Sequence, residues 1–192
     1  MYAPHFENIY FIALIPRREL RQQITAIKQD FANRFNSSKA LKVYPHITLK
    51  APFKLSTDAH DKLLNWFSNL KIQQNQFSIQ LNSFGAFPNR KSSVLYIHPV
   101  VTPSILRLQN KIILGFIEGI SEIVDKSDLD YKPHCTVAYR DFSPDMFSKA
   151  WEEYKHKKFD ALFDVDAFYL LQHDSEKWNI IATYKLNNEL VS

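Results

Sequence analysis

Two pentapeptides of one pattern stand 88 residues apart in the chain, Pro45-His46-Ile47-Thr48-Leu49 and Pro133-His134-Cys135-Thr136-Val137. Both read Pro-His-x-Thr-aliphatic. In a strand, residues two apart share a face, so His46 lies beside Thr48 and His134 beside Thr136, while Ile47, Leu49, Cys135 and Val137 turn to the core. A repeat at this distance predicts two similar halves whose motif strands face each other across a pseudo-two-fold axis. The fold must then place two imidazoles and two hydroxyls along one cleft.

The segments around the motifs fit such a duplication. Ile9 to Ile15 is aromatic, β-branched and nearly all apolar, as a strand covered on both faces should be. Arg17 to Phe35 carries Leu20, Ile24, Ile27, Phe31 and Phe35 at intervals of three and four, which predicts an amphipathic helix. Val43 to Leu49 reads as a strand, Thr57 to Leu70 as a helix, and Phe77 to Phe84 as a strand. The run Gly85 to Lys91, with Phe87, Pro88, Asn89 and Arg90, has loop chemistry. Val94 to Val101 is strand-like again, and Ser104 is placed to cap a helix reaching about Ile117. A polar stretch precedes Pro133. His134 to Tyr139 then reads as a strand and Pro144 to Tyr154 as a helix, and Ala167 to Leu171 with Trp178 to Leu186 form a closing hairpin. The middle of the chain echoes its beginning, and the expectation is an α+β protein of two lobes, each a small, mainly antiparallel sheet with helices on its outer face. With 192 residues, 3 Gly and no Gly/Ser linker, residues 1–192 are expected to form a single domain of two interleaved lobes.

Composition narrows the partners and the compartment. Hydrophobic residues make up 45% of the chain, which excludes disorder, and the single Cys135 excludes a disulfide framework or a Cys-rich metal site. No apolar run approaches the ~18 residues of a membrane span, and Met1 to Asn8 lacks the charged opening of a secretory signal. A cytoplasmic protein without a membrane partner is expected. A net charge of +4 suits an anionic ligand but does not require nucleic acid.

Two histidines titrating near neutrality, one neutral and one protonated, suit acid–base chemistry at a phosphodiester. One would take a proton from the attacking water or hydroxyl and the other would give one to the departing oxygen. Thr48 and Thr136 would donate to the non-bridging oxygens. No cofactor is needed, and no metal, because His-x-Thr supplies one ligand per motif. If the strands stay regular, Lys50 and Arg140 point into the same cleft and bring positive charge. Phe53 and Phe87, in segments containing Pro or Gly, are candidates for stacking on a nucleobase. His5, His60, His98, His156 and His173 read as ordinary structural histidines.

At these residues the sequence resembles the 2H phosphoesterase superfamily, specifically its bacterial 2′-5′ RNA ligase-like branch. The resemblance extends from the motifs to the opening strand, Thr48-Leu49-Lys50-Ala51-Pro52-Phe53, Gly85-Ala86-Phe87-Pro88 and the final hairpin. It implies a bilobal, pseudo-symmetric fold with a central cleft, and hydrolysis of 2′,3′-cyclic phosphates or related phosphodiesters on RNA ends or nucleotides. Some relatives join RNA ends through 2′-5′ linkages. His46 and His134 then correspond to the catalytic pair, and Thr48 and Thr136 to the phosphate-binding pair. Relatives often carry an Arg where Tyr139 stands here, with Arg140 one place later. Alternation favours Arg140, which shares a face with His134. The repeat leaves open which histidine is base and which acid. A nucleotide- or RNA-binding module that keeps the cleft without turnover is the competing reading. No obligate protein partner is implied, and a monomer is expected.

Overall fold

Eight strands and five helices follow one another in the computed structural model, which describes residues 7–89, 93–121 and 124–188. In chain order they are β1 (Glu7–Leu14), α1 (Arg18–Phe35), β2 (Ile47–Ser56), α2 (His60–Ser68), β3 (Phe77–Phe87), β4 (Val94–Pro99), α3 (Pro103–Gly119), α4 (Lys126–Leu129), β5 (Cys135–Tyr139), α5 (Pro144–Tyr154), β6 (Asp160–Val165), β7 (Ala167–His173) and β8 (Trp178–Lys185). A short 3-10 turn, Lys39–Lys42, precedes β2, and another, Thr57–Ala59, leads into α2.

The strands run in the order β6-β3-β4-β5-β2-β1-β7-β8, and every neighbouring pair is antiparallel. The two separate sheets expected from the sequence are therefore one sheet. It is narrowest at its centre, where β2 and β5 meet through a single registered pair, Ile47 with Cys135. Outward from that pair the halves mirror each other: β2, β1, β7, β8 on one side and β5, β4, β3, β6 on the other. The chain crosses between halves after β2 and again after β6. The long helix between the two inner strands of each half packs on the other half's central strand, α1 on β5 and α3 on β2.

One apolar cluster joins buried residues of α1, α2, α3 and α5 to Ile47, Leu49, Cys135 and Val137. The helices thus cover one face of the sheet, and the opposite face carries the motif histidines and threonines. β1 is covered on both faces, as its unbroken apolar run requires: Tyr10, Ile12 and Leu14 enter the main cluster, while Phe11, Ala13 and Ile15 pack with Leu171 on the other side.

Several boundaries differ from the sequence reading for identifiable reasons. Pro45 lies outside β2, which starts at Ile47 and continues past Leu49 because its second half pairs with β1. Gly85, Ala86 and Phe87, expected in a loop, extend β3 against β4. Gly85 is required there, since a Cβ would sit 2.4 Å from the Tyr96 ring. Helix α3 starts one residue before Ser104, with Thr102 at the N-cap and Pro103 in its first turn. Neither β6 nor α4 was expected. The latter is one turn closed by reciprocal bonds between Asp125 and Asp128 within the polar stretch. His5, Arg90 and Lys91 lie outside the described residues.

Candidate active site

Each motif proline places its histidine one residue ahead of a central strand. The Nδ1 of His46 lies 2.7 Å from the Tyr44 carbonyl, and the Nδ1 of His134 lies 2.7 Å from the Lys132 carbonyl. A carbonyl only accepts, so Nδ1 donates in both and Nε2 is the atom left for chemistry. Extending the register from the Ile47–Cys135 pair sets His46 opposite Thr136 and His134 opposite Thr48. Each imidazole is therefore placed beside the threonine of the other half. All four residues are half-buried.

The space they border consists of two cavities of about 450 Å³ each, sharing Thr48 in their walls. His46, Thr136, Tyr139 and Arg140 line the first, with Lys28, Phe11, His173 and Trp178. His134, Phe87 and Tyr131 line the second, with residues of α4 and its flanks. Aromatic rings flank both histidines. Phe11 stands 5.0 Å from His46 and edge-on to Trp178 at 4.5 Å. On the other side, Phe87 stacks on Tyr96 at 4.5 Å, and the two lie 5.3 and 5.6 Å from His134. Among the described residues the buried Tyr131 hydroxyl has no hydrogen-bond partner.

The electrostatics of the two sides differ. Among the described residues no Asp or Glu lines the His46 cavity, where Lys28 and Arg140 bring positive charge. Burial, then Lys28, with a smaller contribution from His134, hold the His46 imidazole far below its ordinary range, to about 3, against the opposing pull of the Tyr44 carbonyl. Burial also lowers the His134 pKa, opposed by the Lys132 carbonyl. Lys28 falls from 10.5 to about 8, mainly by burial, so it is still charged at pH 7. Both shifts favour the neutral imidazole, and a bound phosphate anion would raise the affinity of either for a proton.

The other expected site residues are distributed unevenly. Lys50 is not in the cleft. It is 1% exposed, 2.8 Å from Asp128, and its Nζ lies 5.0 Å from the Phe53 ring and 4.8 Å from the Phe116 ring. The reason is a β-bulge: Ala13 pairs with Thr48 but Ile12 pairs with Lys50, so β2 carries one extra residue and the alternation of faces resets. Phe53 is likewise a core residue, packed against Tyr10 at 5.8 Å and Phe116 at 4.7 Å. A matching irregularity in β5, where Leu95 pairs with Ala138 but Tyr96 with Thr136, buries both Val137 and Ala138. Alternation then no longer carries Arg140 to the cleft. It arrives there because its backbone is left-handed, at φ 66°, just beyond the strand end, and its guanidinium lies over the Tyr139 ring. Phe87 does border the His134 cavity, from a strand rather than a loop.

Sequence reasoning missed Lys28, Phe11, Tyr96, Trp178 and the cleft-lining position of His173. Only Lys28 left a signal. It stands four residues after Ile24 and three before Phe31, on the stripe that α1 buries.

Comparison with known proteins extends beyond the motifs. A family model described as the 2′-5′ RNA ligase superfamily matches residues 16–177. A Bacillus licheniformis protein named "Putative phosphoesterase" is 26% identical over 178 residues, covering 92% of this chain and 98% of its own. The crystal structure of Escherichia coli LigT complexed with 3′-AMP superposes with a TM-score of 0.68 at 18% identity, over 95% of this chain and all of LigT. TT0787 of Thermus thermophilus gives 0.66 at 19% identity, over 94% and 99%. The likeness to these two structures is one of fold, whereas the family match covers both motifs: the chain belongs to the 2′-5′ RNA ligase superfamily, the two-histidine phosphoesterases.

Proposed function

We propose that this protein is a phosphoesterase that hydrolyses 2′,3′-cyclic phosphates, or related phosphodiesters of nucleotides or RNA ends, by general acid–base catalysis between His46 and His134 without a metal ion. The observation that carries the reading is the duplicated geometry. Two imidazoles have Nδ1 committed to a carbonyl two residues back, which leaves Nε2 of each for a cleft shared with Thr48 and Thr136. One Nε2 takes a proton from water as its oxygen bonds to phosphorus. The other gives a proton to the ribose oxygen as the ester bond breaks. The threonine hydroxyls donate to the non-bridging oxygens, where charge grows in the transition state. Arg140 supplies further positive charge, and the rings of Phe87 and Tyr96 on one side, or Phe11 and Trp178 on the other, offer faces to a nucleobase. LigT has been crystallised with 3′-AMP and with ATP, which supports a nucleotide as the ligand class.

With an RNA 5′-hydroxyl in place of water as the attacking group, the same two proton transfers would open a cyclic phosphate into a 2′-5′ linkage, the reverse of cleaving that linkage, so ligation belongs to the proposal. No helix among the described residues is long and apolar enough to cross a membrane. A cytoplasmic monomer is the setting proposed, with Cys135 free and buried.

The test is incubation with the four 2′,3′-cyclic mononucleotides in excess EDTA, following the monoesters by chromatography. Turnover should survive chelation and fall ~10²–10⁴-fold in His46→Ala and in His134→Ala. Binding of nucleotide without turnover, with only its affinity changed by either substitution, would instead identify a receptor.

A further inference from the structure

The repeat makes His46 and His134 equivalent in sequence, but the charges around them are not equivalent. Lys28 is 1% exposed at the wall of the His46 cavity, and the 88-residue offset puts Phe116 at the matching place in α3. Its Nζ donates to the carbonyls of Ala40 and Val43 at 3.0 Å each, and among the described residues no carboxylate forms an ion pair with it. On the other side the same offset turns Ala40 into Asp128, and Asp128 neutralises the buried Lys50 at 2.8 Å. Two buried lysines therefore stand beneath the two halves of the site, one with a counter-ion and one without.

Among the described residues, the groups facing His46 add nothing negative to offset this. They are Lys28 from α1, Cys135, Thr136 and Tyr139 from β5, Arg140 beyond it, His173 from β7 and Trp178 from β8, with His134 across the axis. Around His134 the wall includes Asp125, Asp128 and Asp130 together with Lys126 and Lys132. A charge of like sign nearby disfavours protonation of an imidazole.

We propose that Lys28 separates the roles of the two histidines: its uncompensated ammonium keeps His46 unprotonated, so that His46 accepts the proton of the attacking water and His134 donates to the departing oxygen. This rests on the phosphoesterase reading given above. As the water oxygen bonds to phosphorus, its proton passes to His46 Nε2. As the bond from phosphorus to the 2′- or 3′-oxygen breaks, that oxygen takes the proton of His134 Nε2. His46 ends protonated and His134 neutral, and exchange with solvent resets both. Lys28 contributes no atom to these steps and is a positioning residue that acts through His46.

The test needs no substrate at first. In the full chain labelled with ¹⁵N-histidine, NMR titration of the free protein should give a lower midpoint for His46 than for His134. In Lys28→Met the His46 midpoint should rise by about one pH unit or more, with a smaller change at His134. The reverse order in the wild type, which is measurable whether or not the variant folds, overturns the proposal, and so does an unmoved His46 in a folded variant. A p-nitrophenyl phosphodiester, whose leaving group needs no proton, checks the assignment separately. His134→Ala should then hydrolyse it within about tenfold of wild type, while His46→Ala stays ~10²-fold or more slower. The opposite pattern overturns the assignment. If the wild type hydrolyses no phosphodiester while the titration order holds, the catalytic reading fails and the role assignment with it, but the effect of Lys28 on His46 stands.

Discussion

Replacing Asp128 by Asn should destabilise this protein more than most single substitutions, because it strips a buried cation of its counter-ion without changing the shape of the site. One Asp128 oxygen accepts the Ala51 N–H at 2.7 Å, and the other receives the Lys50 ammonium at 2.8 Å and the Asp125 N–H at 3.0 Å. Lys50 and Asp128 side chains are 1% and 2% exposed, so water does not screen the loss. Removing one partner of such a pair costs about 3–5 kcal/mol, mostly the penalty for the charge left behind. The amide must also turn its NH₂ toward one of the backbone donors, at about 1 kcal/mol more. The proximity of the ammonium to the Phe53 and Phe116 rings returns at most about 2 kcal/mol. A net loss of about 3 kcal/mol follows, which for a chain of this size lowers Tm by about 10 °C. Urea unfolding followed by far-UV circular dichroism, with thermal melts in parallel, measures it. Lys50→Met in the Asp128→Asn background should recover part of the loss, since no buried charge is then left unpaired. A loss below about 1 kcal/mol, or a double variant as unstable as the sum of the singles, would refute the argument.

Lys28 makes the contrasting case. A drop in its pKa from 10.5 to about 8 corresponds to about 3 kcal/mol spent at pH 7 on keeping a buried ammonium charged. Lys28→Met removes that cost and leaves two carbonyls without donors at about 1 kcal/mol each, so its unfolding free energy should rise by about 1 kcal/mol. Because the folded pKa is depressed, the Lys28 contribution should improve as pH rises from about 8 to 10.5 in the wild type and vanish in the variant, as paired urea titrations can establish. Thr48→Val and Thr136→Val should each lower kcat by about 10–10³-fold with little change in KM, a split that steady-state kinetics on a cyclic nucleotide resolves. Gly85→Ala should displace the Tyr96 ring and cost about 1–3 kcal/mol in denaturant melts, with a weakened nucleotide affinity as its functional counterpart.

The features legible in the sequence were those held by short-range rules. The apolar period of α1, the continuous run of β1 and the Pro-His-x-Thr repeat each depend on neighbours within a few residues: the helix and the first strand form where they were read, and each motif histidine stands one residue ahead of its strand. What escaped depends on pairing between distant strands. A bulge inserts one residue against a partner strand and leaves no mark in the sequence, yet it turned Lys50 from the cleft to the core. The matching shift in β5 means that Arg140 reaches the cleft by a left-handed backbone and not by alternation. Joining the halves into one sheet depends on the single Ile47–Cys135 pair, which period-two patterns cannot reveal. Lys28 was visible as a lysine on a buried stripe, but a lysine among polar neighbours reads first as a solvated cation. Its role follows only from the carbonyls that hold it and the carboxylate that its counterpart has and it lacks.

If two histidines act on one phosphate in opposite protonation states, the pH dependence of kcat/KM on a single 2′,3′-cyclic nucleotide carries the signature of both. The profile should be a bell, falling on the acid side as His46 gains its proton and on the alkaline side as the donor loses its own, with either histidine-to-alanine variant ~10²–10⁴-fold slower and missing one limb. A profile flat across about pH 4–9, or an alanine variant retaining wild-type kcat/KM, would contradict it.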